Sequence, residues 1–120
     1  MPSKALNEGV FQRLLKLVFE IYALTEEFPK SEMYGLTSQM RRSAISIPSN
    51  IAEGSRKGSK KDFKNFLHHA FGSGAELETQ IEIAKILPAH KGLKYEKVDG
   101  LLNEAMRMLN KLIVSLRTAD

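Results

Sequence analysis

The chain has 120 residues, of which 42% are hydrophobic and 27% charged, a composition typical of a globular domain rather than a disordered segment. It contains no cysteine, which excludes disulfides, thiolate zinc sites and cysteine nucleophiles. It also lacks an apolar run of the roughly 20 residues that a membrane span needs, and its first ten residues lack the apolar core of a signal peptide. We therefore expect one domain over residues 1–120, in the cytoplasm and with no membrane partner.

The formal net charge of +4 is concentrated in one part of the chain. Seven of the 18 basic residues but only two of the 14 acidic residues lie between Arg41 and Lys64, which leaves 11 basic and 12 acidic residues elsewhere. All of the excess positive charge therefore falls within one-fifth of the sequence. Such a distribution indicates a basic patch rather than a general bias.

The first half of the chain contains two segments in which apolar residues recur with a helical period. The first runs from about Asn7 to Phe28 and stops before Pro29, and the second runs from about Ser31 or Tyr34 to Arg56. The aligned residues are Val10, Leu14, Leu17, Ile21, Leu24 and Phe28 in the first, and Leu36, Met40, Ala44, Ile47 and Ile51 in the second.

The second half contains two more such segments. Ser59 is a good N-cap for the third segment, with Asp62 three residues later, and Pro88 ends that segment. An AHKGLK loop follows, and the fourth segment runs from Tyr95 to about Arg117. No segment alternates with a period of two. Four helices of roughly 20 residues with short connections predict an all-α, antiparallel up-down-up-down four-helix bundle. The aligned residues are Phe63, Phe66, Leu67, Ala70, Gly74, Leu77, Ile81 and Ala84 in the third, and Val98, Leu102, Ala105, Leu109, Leu112 and Leu116 in the fourth.

A proline lies inside the second predicted helix. Pro48 lacks an amide hydrogen and crowds the carbonyl four residues before it, so it bends a helix axis. Small polar residues nearby, Ser46 and Asn50 among them, are able to bond the carbonyls that it leaves free. Because Gln39, Ser43, Ser46 and Asn50 share one narrow stripe, we interpret them as interhelical packing rather than a catalytic site.

The first two helices are apolar over more than one face. A helix on the surface of a bundle needs an apolar arc only slightly wider than 100°, so the excess predicts burial on two sides and a homo-oligomer. A broad core face in a small monomer is the alternative. Gly72 and Gly74 predict places where another backbone comes close. The predicted helix-packing or oligomer-interface residues are Phe11, Leu15, Tyr22, Ile45, Pro48, Asn50 and Ala52.

The sequence contains no pattern typical of catalysis or of metal binding. His68 and His69 are adjacent, so on a helix they diverge by about 100° and are unable to chelate one ion together. The ExxH pattern of di-iron bundles, GxSxG, HExxH and the phosphate-binding GxxxxGK[ST] loop are all missing. We therefore predict no metal, no cofactor, no catalytic residues and no enzymatic activity.

The basic patch is the candidate binding site. Nucleic-acid binding draws affinity from phosphates neutralised by clustered lysine and arginine, and this patch supplies such a cluster. The alternative is a solvated end that only keeps the protein soluble. The predicted nucleic-acid-binding residues are Arg41, Arg42, Arg56, Lys57, Lys60, Lys61 and Lys64.

Three runs of residues carry a resemblance to a known family: YGLTSQMRRSAISIPSNIAEG, KKDFKNFLHHAFGSGAELETQ and LLNEAMRMLNKLIVSL. With them, nearly the whole chain resembles the four-helix-bundle proteins encoded in intervening sequences of bacterial 23S ribosomal RNA genes. The accessory variability determinant of diversity-generating retroelements belongs to the same wider group. The resemblance implies a homopentameric ring with a nucleic-acid partner, and it implies no established enzymatic activity.

Two functions from different classes follow. In the first, the protein binds RNA, or DNA, through the basic patch, contacting phosphate and shape rather than base edges because the patch is rich in lysine and poor in aromatic residues. In the second, the ring is an assembly adaptor that docks a protein such as a reverse-transcriptase-like polymerase and has no direct nucleic-acid role.

Overall fold

Four α-helices make up the computed structural model, which describes residues 9–118. Within that range there is no strand, so the all-α prediction is confirmed. Two short 3-10 helices lie in the connections. The helices are α1 at Phe11–Thr25, α2 at Leu36–Ser55, α3 at Lys60–Ile86 and α4 at Glu96–Thr118, and the 3-10 helices are Lys30–Glu32 and Pro88–His90.

The helix boundaries follow local chemistry. Helix α3 begins as predicted, because the Ser59 hydroxyl accepts a hydrogen bond from the Asp62 amide at 3.1 Å. Helix α2 begins later than predicted: Gly35, with φ −117° and ψ −112°, separates it from the 3-10 turn before it. Helix α1 ends at Thr25, three residues before the predicted end, although Phe28 is still buried. The predicted start at Asn7 lies outside the described residues.

Each helix turns one apolar face toward a common core. The predicted faces of α1, α2 and α3 are buried except for Val10, Leu36 and Phe66, which are partly exposed. In α4 the core takes Ile113, whereas Leu112 and Leu116 are only partly buried. The largest fully buried apolar side chains are Leu14, Leu17, Ile21, Met40, Ile47, Ile51, Leu67, Leu77, Ile81 and Leu109.

Neighbouring helices run in opposite directions. In three neighbouring pairs of helices, two contacts show the direction: as the residue number rises along one helix, the number of the contacted residue on the other helix falls. In the fourth pair, Arg41 near the start of α2 donates to Thr25 at the end of α1. The contacts are Ser46–Ser73 and Gly54–Phe66 for α2 and α3, Gly74–Met106 and Lys85–Asp99 for α3 and α4, and Arg13–Glu104 and Glu20–Lys97 for α1 and α4. The order is therefore up-down-up-down.

Candidate nucleic-acid interface

The connection between α2 and α3 is a tight turn with well-defined stereochemistry. Gly58 adopts φ +86°, a left-handed conformation that side chains disfavour, and Ser59 then caps α3. Just before the turn the two helices approach closely, because a Cβ at Gly54 would lie 2.6 Å from the Phe66 Cβ. The turn is therefore placed by backbone conformation and by steric fit.

Five of the seven predicted binding residues gather at this turn. Arg56, Lys57, Lys60 and Lys61 are exposed and Lys64 is partly exposed; we call these five residues the basic turn. Between the first and the last of them the chain has one acid, Asp62. Lys57 Nζ lies 4.0 Å from a Glu53 carboxylate oxygen and 5.8 Å from the centre of the Phe66 ring. Positive charge therefore predominates at this end of the bundle.

The first turn of α3 adds backbone donors to these side chains. Lys60 and Lys61 are the first two residues of the helix, where the amide groups carry partial positive charge. A cation at that position destabilises a helix by about 0.3–1 kcal/mol, whereas an anion is favoured there. A phosphate at the basic turn would meet lysines and helix amides together.

The other two predicted binding residues lie elsewhere. The Arg41 guanidinium donates to Thr25 Oγ1 at 2.8 Å and to Glu26 Oε2 at 3.2 Å, and its centre lies 4.4 Å from the centre of the Tyr22 ring. Arg41 therefore joins α2 to the end of α1. Arg42 is exposed but precedes Arg56 by 14 residues, about 21 Å along a helix. The structure thus separates this pair from the basic turn.

The polar stripe of α2 makes mostly packing contacts. Ser46 Oγ lies 2.7 Å from Ser73 Oγ and Ser43 Oγ donates to Glu76 at 3.3 Å, so both residues join α2 to α3. The Asn50 amide instead donates to the Ser46 carbonyl of its own helix at 2.8 Å. Pro48 is buried inside a helix that continues to Ser55. These contacts account for the stripe without a reaction.

The predicted interface residues on α1 and α2 differ in exposure. Leu15, Tyr22 and Ile45 are 44%, 37% and 42% exposed, which is high for large apolar side chains, and Phe19 is 68% exposed. The others are less accessible: Phe11, Asn50 and Ala52 are partly buried and Pro48 is buried.

A groove between α3 and α4 contains residues that sequence reasoning did not bring together. Its volume is about 380 Å³, and Asn110 and Arg117 of α4 line it together with His68 of α3. His68 and His69 are both exposed. Asn110 and Arg117 lie more than 40 residues from His68 in sequence, so only the antiparallel packing of the helices shows that they meet.

Among the described residues, two titratable groups have raised pKa values, and both lie near the end of the bundle opposite the basic turn. The pKa of Lys85 is raised because its ammonium group donates hydrogen bonds to Asp99 at 2.8 Å and Glu82 at 2.9 Å. The pKa of Tyr95 is raised mainly by burial, which disfavours the phenolate. Neither residue belongs to the basic turn, so these shifts concern stability rather than binding.

The fold and the basic turn define a small all-α bundle with a positively charged end. The chain belongs to the family described as 23S rRNA-intervening sequence protein, whose family model matches residues 7–111. No curated protein matches the sequence. None of the described helices is long and apolar enough to cross a membrane.

Proposed function

We propose that this protein is a non-catalytic homo-oligomer that forms a pentameric ring. It binds nucleic acid through the basic turn, and RNA is the first candidate ligand. One observation carries the proposal: five basic residues and a helix N-terminus converge on one short turn that contains a single acid. Its membership of a family linked to ribosomal RNA genes supports RNA as the first ligand to test.

The chemistry of the turn favours contacts with the phosphate backbone. Lysine ammonium groups are point charges that neutralise phosphates and release counterions, whereas base edges are read by fixed bidentate groups. All five residues are lysines or arginines, and four of them, Arg56, Lys57, Lys60 and Lys61, are exposed, which suits a mobile, shape-following contact. A ring would repeat the basic turn in every subunit and multiply weak contacts through effective concentration.

The assembly proposal rests on exposed apolar side chains of α1 and α2. Leu15, Phe19 and Tyr22 are spaced by four and three residues and so share one flank of α1. Ile45 follows Arg41 by four residues, and Arg41 lies over the Tyr22 ring, so Ile45 is next to that flank. A neighbouring subunit would cover these side chains.

Titration of a labelled structured RNA at several salt concentrations tests the binding proposal. We expect log affinity to fall linearly with log salt, with a slope that reports several phosphate contacts. Replacing Lys57, Lys60, Lys61 and Lys64 with glutamate should abolish binding while helicity and oligomer mass are retained. The matched control converts four exposed lysines at the opposite end of the bundle to glutamate, with the same change in net charge: Lys30, Lys91, Lys94 and Lys97.

The control should bind with only a modest loss of affinity, since it changes long-range attraction but not the contact surface. Unchanged affinity in the basic-turn variant would overturn the proposal. Equal loss in the two variants would show that net charge alone, and not this turn, determines binding.

The mass of the assembly in solution tests the ring. We expect five times the 13.5 kDa of one chain. Leu15→Asp should reduce this mass. Ile83→Asp is the matched control: Ile83 is similarly exposed, at 42%, but lies on α3, so its substitution should leave the mass unchanged. A wild-type protein that is monomeric at micromolar concentration would remove the ring from the proposal.

The second candidate is a protein-docking adaptor, favoured by apolar side chains at the end opposite the basic turn. Tyr34, just before α2, is 97% exposed and Ile86, at the end of α3, is 73% exposed. An adaptor would retain its protein partner at high salt and leave RNA mobility unchanged. Failure of wild-type binding in the RNA titration would favour it.

A further inference from the structure

The groove between α3 and α4 opens beside the basic turn. Its walls are His68, Phe71 and Gly72 on α3 and Asn110, Ile113 and Arg117 on α4. Lys61 precedes His68 by seven residues, or two helical turns, so both lie on one side of α3 about 10 Å apart along its axis. Arg117 lies near the end of α4, which is the end adjacent to the start of α3. The groove therefore adjoins the positive charge of the basic turn.

The groove has an apolar floor and a polar rim. Ile113 is buried and Phe71 is half-buried against the core, and both contribute carbon surface. Around them, Asn110 offers a donor and an acceptor on one side chain, His68 offers ring nitrogens, and Arg117 offers a cation with five N–H donors. A ligand that fits needs a flat apolar body, hydrogen-bonding edges and a nearby negative charge.

Gly72 keeps this groove open. It is exposed in the middle of α3, and a Cβ built there would meet no atom within 4 Å. Glycine in a helix interior is about 1 kcal/mol less favourable than alanine. Because no atom of the protomer crowds this position, no contact within the protomer accounts for a glycine there. At Gly74 the situation differs, because a Cβ there would collide with the Met106 side chain. Gly74 makes room for α4, whereas Gly72 leaves space that an external group is able to enter.

We propose that this groove receives one unpaired nucleobase of a bound RNA, with its phosphate held by Arg117 and Lys61. The proposal rests on the proposed function and deepens it, because it adds an extruded base to the phosphate contacts. Unpaired RNA bases are recognised by an aromatic or apolar surface against one face and by hydrogen bonds at the edge. The exposed cations on both helices complement the attached phosphate.

Two short RNA duplexes distinguish this proposal from simple phosphate binding. One is blunt and fully paired, and the other has the same sequence with a single bulged nucleotide. Stacking of one base contributes enough free energy that we expect wild type to bind the bulged duplex about tenfold more tightly. Gly72→Leu should abolish this preference while the affinity for the blunt duplex is retained, because the leucine fills the groove and leaves the basic turn intact.

Gly100→Leu is the matched control, since Gly100 is also an exposed helical glycine whose Cβ would meet no atom within 4 Å. It should keep the tenfold preference. Asn110→Ala is a second variant that adds no volume; it should reduce the preference through loss of the edge contacts. Circular dichroism and the mass of the assembly are measured for every variant.

Each outcome separates the two proposals. Equal, salt-dependent binding of both duplexes by wild type overturns the groove proposal and leaves the phosphate-binding function standing. Binding of neither duplex at about 50 mM salt overturns both. If Gly72→Leu retains the bulge preference, the base does not occupy the groove. If the variant loses the preference and its assembly mass also changes, a second copy of the chain occupies the groove instead of the base.

Discussion

The two ends of the bundle are held in place by different forces. At the basic turn, helices α2 and α3 are positioned by a steric fit between Gly54 and the Phe66 side chain and by the capped, left-handed turn that follows. At the opposite end, charged groups join the helices: Lys85 of α3 bonds Asp99 of α4, and Arg41 of α2 bonds Glu26 directly after α1. At the opposite end Lys85 and Arg41 each contact a carboxylate, whereas the five cations of the basic turn have two acids near them in sequence, Glu53 and Asp62.

This difference separates structural cations from cations suited to an external ligand. A guanidinium that already contacts Thr25, Glu26 and the Tyr22 ring has little hydrogen-bonding capacity left for a phosphate. The basic turn, by contrast, is positioned by the fit of Gly54 against Phe66 and by the left-handed backbone at Gly58. Position in the tertiary structure, rather than residue type, distinguishes the two groups.

The largest expected effect comes from filling the close contact at the basic turn. Gly54→Leu should destabilise the protein by about 3 kcal/mol, because even its Cβ would lie 2.6 Å from the Phe66 Cβ and 3.2 Å from the Phe63 ring. Chemical denaturation measures the loss. Gly100→Leu, with open space around the new side chain, should leave stability unchanged or raise it by up to about 1 kcal/mol. Equal stability of the two variants would show that packing does not fix this end.

A smaller effect is expected from the structural cation of α2. Arg41→Met should destabilise the fold by about 1–2 kcal/mol, since it removes hydrogen bonds from a mostly buried guanidinium. It should leave RNA affinity within about twofold of wild type. Arg56→Met should do the reverse, with little change in stability and a lower salt slope of binding. If Arg41→Met weakens RNA binding more than Arg56→Met does, the separation of the two groups is wrong.

The opposite end should also respond to alkaline pH. The folded protein raises the pKa of Lys85 above its ordinary value of 10.5 and that of Tyr95 above 10.0. Above these values the unfolded chain releases protons first, so the free energy of unfolding falls as pH rises. The stability that the two groups contribute is fully present below about pH 10 and is lost as pH rises through their folded pKa values.

The expected loss is about 1 kcal/mol, because Lys85 is partly exposed and solvent weakens its ion pairs. Urea denaturation at pH 9 and pH 11 measures it. Lys85→Met with Tyr95→Phe should reduce the difference between the two pH values, whereas Lys57→Met, at the basic turn, should not. A pH response that persists in the double variant would place its origin elsewhere.

The fold could be predicted from the sequence because its signals are local. Apolar residues repeat with the helical period, and Ser59 marks the start of α3 without tertiary information. The fourth helix shows where this fails. Leu112 and Ile113 are adjacent and both apolar, and both keep an acceptable spacing from Leu109, so only the packed structure selects Ile113 for the core.

The candidate site could be predicted only in part, since charge is visible in a sequence and its neutralisation by distant residues is not. The hydrogen-bond partners of Arg41 lie 15 and 16 residues away, at the end of α1 and directly after it, and nothing in the RRSAISIP segment indicates them. The groove requires α3 and α4 together, so the sequence around His68 does not indicate it. Local patterns place the basic turn, and tertiary contacts decide which charges remain available.

The smallest expected effect concerns Lys61, where one substitution should raise the stability of the fold and weaken RNA binding. Lys61→Glu places a negative charge in the first turn of α3, where the helix dipole favours it, so stability should rise by about 0.5 kcal/mol. RNA affinity should fall, because the same change removes a phosphate contact and adds repulsion. Thermal denaturation and RNA titration of one preparation measure both. A loss of both stability and binding would indicate that Lys61 has a structural role. A gain in stability with weaker binding would show that the protein retains a cation there although it lowers the stability of the fold.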